Sequence, residues 1–235
     1  MKTPTPLSFV QSNKELKMPE KHIYKREDFP KDADYMMSLA DDLRNEYINY
    51  HINVIDKDPS KEKLVGENTY MGSVEHLLDT PGTWKSISMK YRHEGVIIDP
   101  DEELRQYLPT AVKLTEYYGD DCPLSNYSTI EAGTIIHRHT GIENRTGKFI
   151  RVHIPLIIPE GDLFFEVAGE VVRWDDIFAF NNQKVHSAWN NTDKRRAVFI
   201  IDVARERLGL PPGTPYDAMR DEVTVTPFIY NGKFA

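Results

Sequence analysis

Between Phe149 and Ile157 the chain alternates residue by residue, with Ile150, Val152, Ile154 and Leu156 on one side and Phe149, Arg151 and His153 on the other. A period of two belongs to an extended strand. The run from Arg196 to Val203 repeats the pattern and sets Arg196, Val198, Ile200 and Asp202 together. Two strands therefore send cationic or imidazole groups to a face they share with large apolar residues. A guanidinium buried there without an anionic partner is costly, so this face calls for an anion.

These strands lie in a region, from Gly119 onward, where short β-branched and aromatic runs are separated by Gly, Asn, Asp and Pro. That spacing is the signature of an antiparallel sandwich or barrel. The chain before it reads differently. Met36, Leu39, Leu43, Tyr47 and Tyr50 recur every three or four residues and predict one amphipathic helix over Asp34 to Tyr50. Asp101 to Tyr118 is also helical in pattern, with a break expected at Pro109. Trp84 to Tyr91 alternates as a strand, and a last short strand is expected around Val223 to Tyr230.

The net charge of −8 argues against nucleic acid or an anionic membrane as partner, since either would need a dense basic patch. The single cysteine, Cys122, cannot close an intrachain disulfide and excludes Cys-rich zinc modules, so a reducing, cytoplasmic setting is expected. Met1 to about Glu20 has no apolar core of a secretory signal, and no run approaches the roughly 20 apolar residues of a membrane span.

Four of the eight histidines, His137, His139, His153 and His186, fall within one stretch of β-rich sequence, which raises a metal site as a hypothesis. The block His139-Thr140-Gly141, then Asn144, then Arg151-Val152-His153 with Pro155-Leu156, continues through Gly169, Trp174, Asn181-Asn182, His186, Trp189 and Arg196 to Val203. In order and composition it resembles the aspartyl/asparaginyl β-hydroxylases over about Ser128 to Val203.

The resemblance implies a double-stranded β-helix, a cupin-like jelly roll of two antiparallel sheets, buttressed by N-terminal α-helices. The texture of the chain predicts a single oxygenase domain over 1–235: mostly helical support with one or two strands over 1–118, the catalytic jelly roll over 119–204, and a tail or lid over 205–235. The resemblance also implies a dioxygenase using Fe(II), 2-oxoglutarate and O2 to hydroxylate a C–H bond. His139 and His186 correspond to the iron ligands, Ser128 and Arg196 to the grip on the distal carboxylate of 2-oxoglutarate, and Arg151 and His153 to residues near its C1 carboxylate. Where many such enzymes carry a third, carboxylate ligand, this chain has Gly141, so one coordination position is open. Asn181-Asn182 stands where an Asp-Asp pair is common.

Several readings stay open at this level. The vacancy at Gly141 would also suit a halogenase. His137 and His139 could form the His-x-His pair of a non-catalytic metal-binding cupin, since alternate strand residues share a face; with iron on His139, His137 becomes a substrate-side residue, together with Asn144 and Trp189. Arg138 is expected to point the other way, as a solvated charge. Trp174 and Asp202 read as structural and Cys122 as inert. The substrate is expected to be a small polar molecule: an amino acid, a derivative of one, or a short peptide. Oligomeric state is not legible.

Overall fold

The computed structural model describes residues 21–65, 77–80, 83–93, 96–141 and 146–215, with the backbone of two short strands at 229–230 and 233–234. Asn144 lies outside the described residues, as does most of the predicted Val223 to Tyr230 strand.

The N-terminal part contributes β1 (Ile23–Lys25), α1 (Pro30–Ser38), α2 (Ala40–Tyr50), β2 (Lys63–Leu64), β3 (Trp84–His93), β4 (Val96–Ile98), α3 (Glu102–Tyr107) and α4 (Pro109–Tyr118). Then follow β5 (Leu124–Ile130), β6 (Thr134–His139), β7 (Phe149–Ile157), β8 (Leu163–Val167), β9 (Glu170–Val172), β10 (Phe178–Phe180), β11 (His186–Asn190) and β12 (Arg196–Ala204), with a small β13–β14 pair at Ile229–Tyr230 and Lys233–Phe234. Among the described residues, the segment before 119 thus holds four strands rather than one or two.

Pro109 separates α3 from α4 as expected, taking the first position of α4, where its missing N–H costs nothing. The helix expected over Asp34 to Tyr50 is in fact two. Leu39 stays in the right-handed helical region, but its N–H bonds the Met36 carbonyl three residues back at 3.1 Å, and the Ser38 hydroxyl donates to the Tyr35 carbonyl at 2.6 Å, a local bond that competes with the helical ladder. The inner face survives the break: Met36, Leu43, Tyr47 and Tyr50 are all buried, each contributing about 1.5–3 kcal/mol of apolar burial.

An eight-stranded antiparallel sheet in the order β1-β10-β7-β12-β5-β3-β2, with β4 on β3, faces a four-stranded sheet in the order β6-β11-β8-β9. From β5 to β12 the chain winds back and forth between the two: β5, β7, β10 and β12 are in the large sheet, β6, β8, β9 and β11 in the small one. This winding is the double-stranded β-helix. Alternation along β7 and β12 splits the interior into two compartments. Ile150, Val152, Ile154, Phe199, Ile201 and Val203 pack outward against the helices. Val198 and Ile200 pack inward, with Phe165, Phe178, Phe180 and Ala188 from both sheets. No helix among the described residues is long and apolar enough to cross a membrane.

Candidate active site

Between the sheets is a cavity of about 390 Å³, lined by His139, Gly141 and His186 on one side and by Ser86, Ser88, Asn126, Ser128, Arg151, His153 and Arg196 on the other. Its size falls in the range of roughly 300–1,000 Å³ typical of small-molecule sites.

His139 and His186 stand opposite each other across the β6–β11 ladder, their ring centroids 4.2 Å apart. Each ring is turned by its own backbone: His139 Nδ1 is 2.7 Å from the His137 carbonyl and His186 Nδ1 is 2.8 Å from the Lys184 carbonyl. A carbonyl can only accept, so both Nδ1 atoms carry hydrogen and both Nε2 atoms present lone pairs. Orienting bonds of this kind on the second ring nitrogen are the habit of metal-ligating histidines. Burial, with His139 alongside, holds His186 well below the ordinary histidine range, in its neutral form. Among the described residues no group of three His, Cys, Asp or Glu forms a ligand set. Gly141, whose N–H donates to the Asn182 carbonyl at 2.7 Å, supplies no side chain. Two imidazoles and open positions suit a metal that must also bind substrates; a closed structural zinc site would need four protein ligands.

A bulge in β6 makes this arrangement. Between the pairs His186–His139 and Ala188–Ile136, β11 advances two residues while β6 advances three. Ile136 and His139 consequently both line the cavity. His137 does not: its Nε2 lies 2.8 Å from Asp79 Oδ1, and the side chain is 40% exposed. The His-x-His alternation therefore fails here, and the substrate-side expectation for His137 is corrected with it. Bulges commonly re-aim a side chain beside a functional site in this way. Trp189 is likewise outside the cavity lining. It lies on the opposite face of β11 from Ala188, packs in a tilted contact on Phe164 at 5.7 Å between ring centroids and donates to Asp162 at 3.0 Å. Arg138 is a partner of the fully buried Glu166 at 3.3 Å rather than a solvated charge.

On the large sheet, Arg196 is 2% exposed. Its Nη1 donates to the Ser128 carbonyl at 3.0 Å, its Cζ lies 4.7 Å over the Trp174 ring, and its Nε has no hydrogen-bond partner among the described residues. Burial pulls its pKa down to about 9, so the charge persists at neutral pH. The Ser128 hydroxyl accepts from Trp84 Nε1 at 3.2 Å. His153 is 4% exposed and boxed by Phe165, Phe178 and Phe180 with centroids 5.1–5.3 Å away. Burial, then the Arg196 and Arg151 charges, hold it well below the usual range. Arg151 is clamped by Asp202, Nε and Nη2 at 2.8 and 2.9 Å from the two carboxylate oxygens.

Ser128, His139, Arg151, His153, His186 and Arg196 thus line one cavity although they span 69 positions of sequence. Three neighbours were missed as site residues: Trp84, whose ring is 5.9 Å from that of His139, Trp174 and Asp202. Asp202 was within reach of pattern reading, since it shares a strand face with Arg196 and carries the charge opposite to Arg151. Nothing local distinguishes Trp84 or Trp174 from packing tryptophans.

The sequence model of the family described as aspartyl/asparaginyl beta-hydroxylase matches residues 40–206. A Rhizobium tropici protein named ornithine lipid ester-linked acyl 2-hydroxylase is 32% identical over 110 residues, 45% of this chain and 38% of that protein. The human aspartyl/asparaginyl beta-hydroxylase is 30% identical over 79 residues, 33% of this chain and 10% of that protein. The chain therefore matches well under half the length of these relatives. Among solved structures, a prolyl hydroxylase from Trichoplax adhaerens superposes with a TM-score of 0.43 at 14% identity, covering 71% of this chain and 80% of that one. A Pseudomonas putida prolyl-4-hydroxylase gives 0.42 at 14%, covering 78% and 92%. The family match takes in every cavity strand from β3 to β12, and on that extent this chain belongs to the aspartyl/asparaginyl β-hydroxylase family.

Proposed function

We propose that this chain, read as a single oxygenase domain over 1–235, is an iron(II)- and 2-oxoglutarate-dependent hydroxylase. The observation that carries the reading is the pairing of two features across one cavity. One is a pair of imidazoles, 4.2 Å apart between centroids, each with its Nδ1 turned to a backbone carbonyl in the way of metal-ligating histidines. The other is a guanidinium, Arg196, with no carboxylate partner among the described residues. A buried cation of that kind calls for an anionic ligand, and a dicarboxylate that also chelates the metal answers both features at once.

With iron(II), 2-oxoglutarate and O2 bound, the centre supplies the oxidising power to hydroxylate an unactivated C–H bond, releasing succinate and CO2 as co-products. The protein's part is to bind, orient and keep the site dry. His139 and His186 would hold the metal, with Gly141 leaving a position without a protein ligand. Arg196 and the Ser128 hydroxyl would take the distal carboxylate in charge-assisted bonds. His153, with Arg151 held in place by Asp202, would meet the C1 carboxylate. Phe165, Phe178 and Phe180 exclude water around these polar groups, which strengthens every electrostatic contact among them.

For the substrate, we favour a small polar molecule built on an amino acid. The names of the two relatives quoted above share an amino-acid unit, ornithine in one and aspartyl or asparaginyl in the other. The remaining cavity wall, with Ser86, Ser88, Asn126 and Tyr91, offers hydroxyl and amide groups to such a unit. A reducing cytoplasmic setting suits the buried free Cys122, whose thiol burial pushes up to about 12 and so keeps unreactive.

The test is a screen of free amino acids, N-acylated amino acids and Asp- or Asn-containing peptides, with iron(II) and 2-oxoglutarate. The readouts are succinate and product mass. Succinate formed together with a product heavier by one oxygen atom is the expected result. A chlorine isotope pattern in the product would redirect the assignment to a halogenase, and an absence of both 2-oxoglutarate binding and succinate would overturn it.

A further inference from the structure

Trp174, between β9 and β10, is 1% exposed and meets two cavity groups with two different parts of its ring. Its Nε1 donates to His153 Nδ1 at 3.0 Å, and the two rings are within 13° of parallel. Its face carries the Arg196 guanidinium at 4.7 Å, a cation–π contact.

An indole nitrogen donates only. A neutral His153 bonded to it must leave Nδ1 bare and carry its hydrogen on Nε2. This is the reverse of His139 and His186, whose Nδ1 atoms face backbone carbonyls. The three cavity histidines are therefore sorted by their neighbours into two that offer lone pairs, as a metal requires, and one that offers an N–H, as a carboxylate requires. In the opposite tautomer, His153 would turn a lone pair toward a carboxylate and repel it.

We infer that Trp174 is a positioning residue for 2-oxoglutarate: its N–H fixes His153 as a donor toward one carboxylate while its ring face seats Arg196 for the other. The inference rests on the function proposed above. It departs from a plain packing role, in which the indole nitrogen would be dispensable.

Two measurements test it. In the metal-free wild-type protein, imidazole 15N chemical shifts should show His153 as the Nε2–H tautomer and His139 and His186 as Nδ1–H tautomers. His153 found as Nδ1–H, or as an even mixture, overturns the inference without any variant having to fold. Trp174→Phe keeps an aromatic face and loses only the N–H among the polar groups. With manganese(II) in place of iron, its dissociation constant for 2-oxoglutarate should rise about tenfold, or about 1.4 kcal/mol, while its affinity for manganese stays at the wild-type value. A folded Trp174→Phe protein that binds 2-oxoglutarate within twofold of wild type also overturns it. Wild-type protein that binds manganese but no 2-oxoglutarate fails the proposed function itself, and the inference with it.

Discussion

Arg151 and Asp202 are register partners on adjacent strands, and their side chains close a two-point ion pair of 2.8 and 2.9 Å at the cavity wall. The pair explains how an arginine that reads in isolation as a surface residue can lie against an apolar interior. It also fixes where the guanidinium sits before any ligand arrives.

Removing the carboxylate should cost that guanidinium its two-point ionic partner. Asp202→Asn is expected to destabilise the protein by about 3 kcal/mol, the lower end for breaking a buried pair because Arg151 retains some access to solvent. For a chain of this length that is a fall in Tm of roughly 6–12 °C. Calorimetry or denaturant titration checks it, and a variant as stable as wild type would remove Asp202 from this role.

Arg196 should behave in the opposite way. Its charge is buried without a carboxylate among the described residues, so Arg196→Met is expected to cost less than about 1 kcal/mol in ligand-free protein. The same change should weaken 2-oxoglutarate binding by roughly 10- to 150-fold, the worth of a hydrogen bond to a charged group at about 1.5–3 kcal/mol. Thermal shift with and without 2-oxoglutarate separates the two effects. Unchanged cosubstrate affinity would mean that Arg196 has been given the wrong task.

His153 and His186 set a pH dependence. Burial is the leading cause for both, and it keeps both neutral in the folded state. Unfolding returns them to an ordinary pKa of about 6.5. Below that pH the unfolded chain binds more protons than the folded one, so stability falls as pH falls. Each group contributes up to about 1.4 kcal/mol per pH unit. Denaturant titrations of metal-free protein between about pH 7 and about pH 5 should show this loss, and His153→Phe should reduce its slope by roughly half. A flat profile in that window would show that neither imidazole is held neutral.

Much of this was legible in sequence because strand periodicity is strict. Residues 149–157 are the strand they were read to be, with Arg151 and His153 facing the cavity and Ile150, Val152 and Ile154 facing the helices. The break at Pro109 follows from proline's own geometry. The failures have local causes that no period reveals. A single extra residue in β6 separates His137 from His139. At Leu39 the helical ladder tightens to a three-residue bond between two segments that share one apolar face. Trp189 and Trp174, indistinguishable as letters, end on opposite sides of the matter: one bonds Asp162 away from the cavity and the other bonds His153 within it. Asp202 read as structural, and so it is, but through the very arginine that the cavity uses.

Under the proposed function, His139 Nε2 and His186 Nε2 hold one ferrous ion beside Arg196. The most direct measurement is anomalous diffraction at the iron edge from crystals grown without oxygen in iron(II) and 2-oxoglutarate. The account requires a single strong peak about 2.1 Å from both Nε2 atoms, the usual metal–imidazole distance, with a carboxylate of the cosubstrate on the Arg196 guanidinium. A peak at His137 and Asp79, or a cosubstrate bound away from Arg196, would contradict it.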